Sequence, residues 1–392
     1  MITTSFHKET LPLLGFGTMR LPLGENREID FVQTEKMMDT AMAAGVNYFD
    51  TGWPYHSCKA ELVVGEILQK YPRDSFFLAD KFPGHQILKD YHPAPYFETQ
   101  LKKCRVDYFD FYLLHNVYEK SIEQYTDPKW GIMDYLREQK KQGRIHYLGI
   151  STHGNTETLR RFLDLYGEDL DFCQIQLNYV DWTLQHARER VELLSQRGIP
   201  VWVMEPVRGG KLATLTPEQR AKLPASLAEA SPVEIAFRWL QGLNNVQMIL
   251  SGMSAPAQLE ENLAIFSHRN PLTEKENEAL LALAEEMKQA IPCTGCRYCC
   301  DGCPKGLDIP LFIQKYNELK YNPSVNAVMA IEAMPEEKKP AACISCGQCT
   351  GMCPQKIDVP AVLSELPQMV AALPTWEKLS KIREEDAAKI KW

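Results

Sequence analysis

The chain contains no uninterrupted apolar run approaching eighteen residues, so no segment is suited to cross a bilayer as a helix. It also lacks a basic excess. Lys and Arg number 43 against 51 Asp and Glu, a net charge of −8, which argues against nucleic-acid or anionic-membrane partners. The opening residues, M-I-T-T-S-F-H-K-E-T, lack the basic-then-apolar pattern of an export signal. No G-x-G-x-x-G follows the first strand candidate, so a doubly wound dinucleotide fold has no fingerprint here. At 392 residues and 45% hydrophobic content, the length suits one large domain plus a small one. The expected setting is reducing and cytoplasmic, since nothing marks the cysteines as a secreted disulfide framework.

Cysteine is plentiful, and most of it is patterned. Residues 293–310 read C-T-G-C-R-Y-C-C-D-G-C-P-K-G-L-D-I-P, and 343–360 read C-I-S-C-G-Q-C-T-G-M-C-P-Q-K-I-D-V-P. Both blocks contain C-x2-C-x2-C-x3-C-P, the spacing at which thiolates wrap a [4Fe–4S] cubane. In two-cluster ferredoxins the fourth cysteine serves the other cluster. Crossed ligation then assigns Cys293, Cys296, Cys299 and Cys353 to one cluster, and Cys343, Cys346, Cys349 and Cys303 to the second. Cys300 is left over beside Cys299 and could compete with it for iron. Zinc knuckles would not explain the paired C-P ends. Cys58, Cys104 and Cys173 read as small buried residues.

Upstream, short β-rich runs alternate with amphipathic helical stretches. Strand candidates fall at 13–18, 46–50, 76–81, 109–115, 146–151, 172–178, 200–205 and 247–252. Helices fill the gaps, one ending at Gly45 and another at Gly143, both C′ positions. Eight such units in about 250 residues are the arithmetic of a (β/α)8 TIM barrel.

In such barrels chemistry sits at the C-terminal ends of the strands. Asp50 closes the second strand, Lys81 the third and His115 the fourth, with Tyr55 in the loop after Asp50. Together they make a proton-delivery device for a carbonyl. Tyr55 donates, and Lys81, held charged by Asp50, is expected to lower the phenol's pKa by favouring phenolate. His115 orients the carbonyl oxygen. Singly, each has a plainer explanation as a cap, a packing ring or a solvated charge; four at successive strand ends do not. The loops around Trp53, His56, His85 and Tyr118 shape the pocket without naming a substrate.

Y-F-D-T-G-W-P-Y-H-S at 48–57 resembles the D-T-A-x-x-Y signature of aldo-keto reductases. L-G-F-G-T-M-R-L at 14–21 and F-Y-L-L-H at 111–115 resemble that family's first and fourth strands. The likeness spans about residues 10–268. It implies Tyr55 as proton donor with Asp50, Lys81 and His115 as partners, and a small carbonyl substrate reduced with NAD(P)H. L-G-I-S-T at 148–152 and Q-L-E-E-N-L at 258–263 resemble the cofactor-contacting segments, implying contacts from Gly17, Thr18, Met19, Ser151, Gln174, Gly252, Ser254, Gln258, Glu261 and Asn262. V-M-E-P-V-R-G-G-K-L at 203–212 resembles the branch that carries a C-terminal ferredoxin-like domain.

Two departures stand out. Met204 and Glu205 replace the usual aromatic Tyr and Ser after the seventh strand, exchanging a stacking ring for a thioether and a possible negative charge. Ser254 and Gln258 stand where NADP-preferring members place Lys and Arg, which tilts preference away from NADP.

The layout expected is a barrel over 1–270, a connecting helix packed on it at 271–290, a two-cluster domain at 291–375 and a C-terminal helix at 376–392. Helices at 310–320 and 328–334 between the cysteine blocks suggest a mainly α-helical ferredoxin. The charged tail helix is expected to be a solvated surface element, with docking on the barrel or a partner as the alternative. The function expected is carbonyl reduction at the barrel mouth, with the clusters passing electrons to or from an external carrier, a ferredoxin or flavoprotein. Two alternatives stay open: an electron-transfer subunit using the barrel as scaffold, and an ordinary reductase whose clusters are structural or sensing.

Overall fold

The computed structural model describes residues 1–288 and 290–390. The tail expected at 391–392 and Gln289 of the connecting helix lie outside the described residues. Eight parallel strands close on themselves: β3 (Leu14–Gly17), β4 (Tyr48–Asp50), β5 (Phe77–Phe82), β6 (Phe109–Leu114), β7 (Ile145–Thr152), β8 (Phe172–Gln176), β9 (Val201–Met204) and β10 (Val246–Gly252). Each pairs with its successor, and β10 returns to β3. All eight expected strands are present, with ends differing by one or two residues.

A preceding hairpin, β1 (Thr3–Phe6) with β2 (Glu9–Pro12), was not expected. It caps the N-terminal end of the barrel. Phe6 enters the interior, its ring 4.8 Å from Trp202 and 5.0 Å from Tyr147. Above it, Tyr48, Phe111, Phe172, Trp202 and Met248 fill the barrel as one buried cluster. The interior is therefore a packed core, and the barrel's chemistry belongs at the opposite rim.

Helix ends follow local chemistry. Asp30 caps the first long helix, its carboxylate accepting from Gln33 N–H at 3.0 Å. Gly45 and Gly143 follow helix ends with φ +87° and +75°, a conformation that costs glycine nothing. The connecting helix, Glu274–Lys288, buries Leu280 and Ala284 in the barrel's outer core.

The cysteine module repeats in structure as well as sequence. Gly295 and Ser345 both adopt positive φ, as do Arg297 and Gly347, and Gly306 and Lys356. Short helices Tyr298–Asp301 and Gln348–Met352 each begin just after the second cysteine of their block. Longer helices Ile309–Tyr321 and Val359–Ala371 follow, capped in the same way by Asp308 and Asp358. Phe312, Ile313, Val362, Leu363 and Leu366 join one core between the repeats. A second intercluster helix, Val325–Glu332, completes the mainly helical module.

The tail helix departs from expectation. Trp376–Lys389 docks on the barrel instead of lying in solvent. Trp376 and Ser380 are buried, and Trp376 packs with Tyr118 of the barrel and Met329 of the second intercluster helix. The apolar surface of one large ring outweighs the helix's charged composition, because most of the charges lie on the other faces, Arg383 being the exception.

Candidate active site and cluster cradles

The parallel register brings the expected rim residues together. Asp50 ends β4 level with Gly17 and Ala79 of the flanking strands, and Lys81 lies level with Leu113. Lys81 is fully buried and its ammonium donates to Asp50 Oδ1 at 2.6 Å and to the Thr51 carbonyl at 2.5 Å. The same ammonium stands 5.0 Å from the centre of the Tyr55 ring. His115 follows β6 directly, its ring 5.9 Å from that of Tyr55 and edge-on.

Electrostatics differ from the sequence expectation at one point. Burial raises the Tyr55 phenol above its ordinary pKa, and the opposing pull of Lys81 does not overcome it. Burial likewise raises Asp50 against the pull of Lys81. Lys81 itself stays charged: burial opposes the ammonium, but Asp50 and Tyr55 outweigh it. His115 is pushed well below the usual imidazole range by burial, then by His85 and Lys81, so it is neutral at pH 7. Asp50 Oδ2, His115 Nδ1 and His85 Nδ1 are buried without partners. Unpartnered buried polar atoms at one rim are open to a ligand.

The residues expected to face a dinucleotide are only partly free to do so. Ser151 and Gln174 are register partners on β7 and β8, and Gln174 Oε1 is a buried acceptor with no donor, a fit for a carboxamide N–H. Thr18 follows Gly17 and donates to the Asp50 carbonyl at 3.0 Å, while Met19 is exposed. Met204 ends β9, and Glu205 takes φ +54°, with burial and then Asp181 raising its carboxyl pKa. The negative charge expected there is correspondingly weakened. Gly252 ends β10, covered by the Arg20 side chain. Ser254 donates its N–H to Gln258 Oε1 at 2.7 Å. Glu261 accepts from Ser231 at 2.6 Å, and buried Asn262 donates to Ser251 at 3.0 Å.

Sequence reasoning missed four residues at the mouth. Asn116, just after His115, donates to Met329 Sδ at 3.5 Å. Arg20 lies against Gly252 at the end of β10 and close to Gly209 in the turn that follows β9. Trp376 places its ring 5.5 Å from His85, and Arg383 follows on the same helix. Adjacency to His115 could have flagged Asn116; nothing local marks the other three.

In the cysteine module, Cys303, Cys343, Cys346 and Cys349 line one cavity, walled by Leu307, Ile309 and Leu363. A thiol from the first block thus stands among three from the second. The Ser345 N–H points at Cys343 Sγ at 3.4 Å. In the other half Cys293 has Cys353, Cys296 and Cys300 as electrostatic neighbours, and Cys299 has Cys300 and Cys293. Four thiols around an apolar cavity suit an iron–sulfur cubane in donor chemistry and enclosure. Among the described residues no three such side chains converge on a single-ion site.

A parallel barrel bearing this rim, joined to a doubled cysteine module, defines a redox enzyme of the (β/α)8 class. The chain belongs to the aldo/keto reductase family, whose profile matches residues 13–285. A 4Fe-4S dicluster domain matches residues 292–357. The NADH-specific methylglyoxal reductase of Escherichia coli is 26% identical over 330 residues, covering 72% of this chain and 96% of that protein. L-galactose dehydrogenase of Arabidopsis thaliana is 24% identical, with 68% and 90% covered. A thermostable aldo-keto reductase crystallised with epalrestat superposes with a TM-score of 0.59 at 24% identity, covering 72% of this chain and all of that one. Among the described residues no helix is long and apolar enough to cross a membrane.

Proposed function

We propose that this enzyme reduces a small carbonyl compound at the barrel mouth, with NADH as hydride donor and two [4Fe–4S] clusters exchanging electrons with an external carrier. One observation carries the reading: Tyr55, Lys81 and Asp50 form a single contact chain beside a neutral His115 at the strand ends. A carbonyl oxygen set between Tyr55 and His115 takes a proton from the phenol as its carbon gains a hydride, giving an alcohol. Lys81 stabilises the phenolate that remains, and Asp50 holds Lys81 in place. Neutral His115 donates a hydrogen bond without competing as an acid.

A bound reduced nicotinamide supplies the hydride. Gln174 and Ser151 would hold its carboxamide, and Ser254, Gln258, Glu261 and Asn262, none of them a cation for a 2′-phosphate, would stand at the expected adenine end. NADH is favoured on that ground, in keeping with the NADH specificity of the Escherichia coli relative. Arg20 is a cation within reach of Gly252 at the end of β10 and of Gly209 in the turn after β9. Crossed ligation by Cys293, Cys296, Cys299 and Cys353, and by Cys343, Cys346, Cys349 and Cys303, is supported by the thiol neighbourhoods. The clusters would accept or deliver single electrons for a ferredoxin or flavoprotein.

The test is NADH oxidation with methylglyoxal by anaerobically purified protein. Tyr55→Phe is expected to cost about 10²–10⁴-fold in turnover, the range for positioned general acids, while the iron–sulfur absorbance stays intact. Undiminished turnover in Tyr55→Phe overturns the assignment.

A further inference from the structure

The C-terminal helix carries a cation to the barrel mouth. Trp376, Ser380 and Arg383 share one helix face by their spacing, and this face docks on the barrel. The Trp376 ring lies 5.5 Å from that of His85, and the Arg383 guanidinium 5.5 Å from the Trp376 ring centre. The Cys58 thiol lies 3.8 Å from the Arg383 carbonyl oxygen, tying this turn to the loop that carries Tyr55. The guanidinium's charge is felt within the site. After burial, it is the strongest influence depressing His85, and it contributes to depressing His115.

Two donors on the docked face are unused. Arg383 Nη1 and Trp376 Nε1 are both buried with no hydrogen-bond partner, like His85 Nδ1 and His115 Nδ1. Among the described residues no carboxylate pairs with Arg383. Asp386, three residues on, is taken by Lys389 at 3.2 Å. A half-buried cation whose Nη1 is shut off from water without a partner is costly unless an anion completes it. A carboxylate brings two acceptor oxygens, the complement that two such neighbouring donors call for.

We propose that Arg383 and Trp376 form an anion-binding wall of the substrate pocket, and that the substrate is an oxo acid, a carbonyl compound carrying its own carboxylate. The substrate class rests on the reading of Tyr55, Lys81 and Asp50 as the reducing site; the anion wall does not. The carboxylate held by the C-terminal helix turns the carbonyl toward Tyr55 and His115. Substrate choice then depends on the cysteine module as well as the barrel, because Met329 of that module packs against Trp376 and helps seat the helix.

The test has a binding arm and a turnover arm, both on cluster-loaded protein. Pyruvate, acetoacetate and levulinate, whose carboxylate stands progressively farther from the carbonyl, are titrated calorimetrically without reductant. At least one should bind the wild type and bind Arg383→Met roughly 30-fold more weakly, about 2 kcal/mol at 1.4 kcal/mol per tenfold. Arg383→Lys should recover part of the loss, and Trp376→Phe, which keeps the ring but removes the donor, should weaken the same anion severalfold. In turnover, Arg383→Met should depress kcat/KM for that oxo acid by a clearly larger factor than for neutral methylglyoxal, and an equal loss for both overturns a role in holding the carboxylate. The wall is overturned if none of the anions binds the wild type, or if Arg383→Met binds them as tightly. Binding that follows Arg383 while Tyr55→Phe keeps full turnover would sink the carbonyl-reducing reading and leave the wall standing.

Discussion

Lys81→Met tests the proton relay most directly. The ammonium is 5.0 Å from the Tyr55 ring centre. At an effective dielectric of about 20, Coulomb's law gives roughly 3 kcal/mol favouring phenolate. Burial already holds the phenol above its ordinary pKa, so nothing else compensates when the cation goes. Phenolate charge is only partly developed in the transition state, so carbonyl turnover should fall by roughly 10- to 100-fold. Asp50 would then lack its partner; its carboxyl, already raised by burial, takes up a proton and limits the structural damage. The assay is steady-state NADH oxidation with methylglyoxal, run as a double-mutant cycle with Tyr55→Phe. If Lys81 acts through Tyr55, adding Lys81→Met to Tyr55→Phe costs little more. The reasoning is refuted if Lys81→Met keeps more than half of wild-type turnover, or if the two losses multiply in full. Circular dichroism and iron–sulfur absorbance identical to the wild type certify that the fold is intact.

Acid should weaken the fold through the buried imidazoles. His153 is pushed down to about 4, chiefly by burial, and His85 and His115 also lie well below the usual range. A depressed histidine is protonated first in the unfolded chain, so stability is fully present above about pH 6.5 and declines as pH falls below it. His153 alone should cost about 2 kcal/mol at pH 5. The unfolding midpoint of His153→Gln should therefore fall less steeply between about pH 6.5 and 5; an unchanged slope refutes the assignment. Crossed ligation predicts that Cys353→Ala and Cys296→Ala damage the same cluster, giving matching iron contents and matching electron paramagnetic resonance spectra. A spectrum of Cys353→Ala that instead matches Cys346→Ala excludes the crossing.

What could be read from the chain, and what could not, divides along a physical line. Strand ends and cysteine spacings are local, so β4 ending at Asp50 and the doubled C-x2-C-x2-C-x3-C-P were legible residue by residue. Even the left-handed turns of the module recur at equivalent positions, because the same spacing imposes the same backbone path. The β1–β2 hairpin was hidden because its four-residue strands are half polar and only Phe6 and Leu11 reach the core. The tail helix was misread for a related reason. Its docked face presents a serine and an arginine, residue types that pattern reading assigns to water. Tyr55 shows the same limit in energy: the charge of Lys81 could be foreseen from sequence, but the burial that outweighs it could not. Distant segments also converge on this site: the helix starting at Trp376 brings Arg383 within electrostatic reach of the phenol at position 55. An arginine that looks misplaced on a docked face is therefore informative, since burial without an anion is tolerated where a ligand supplies one.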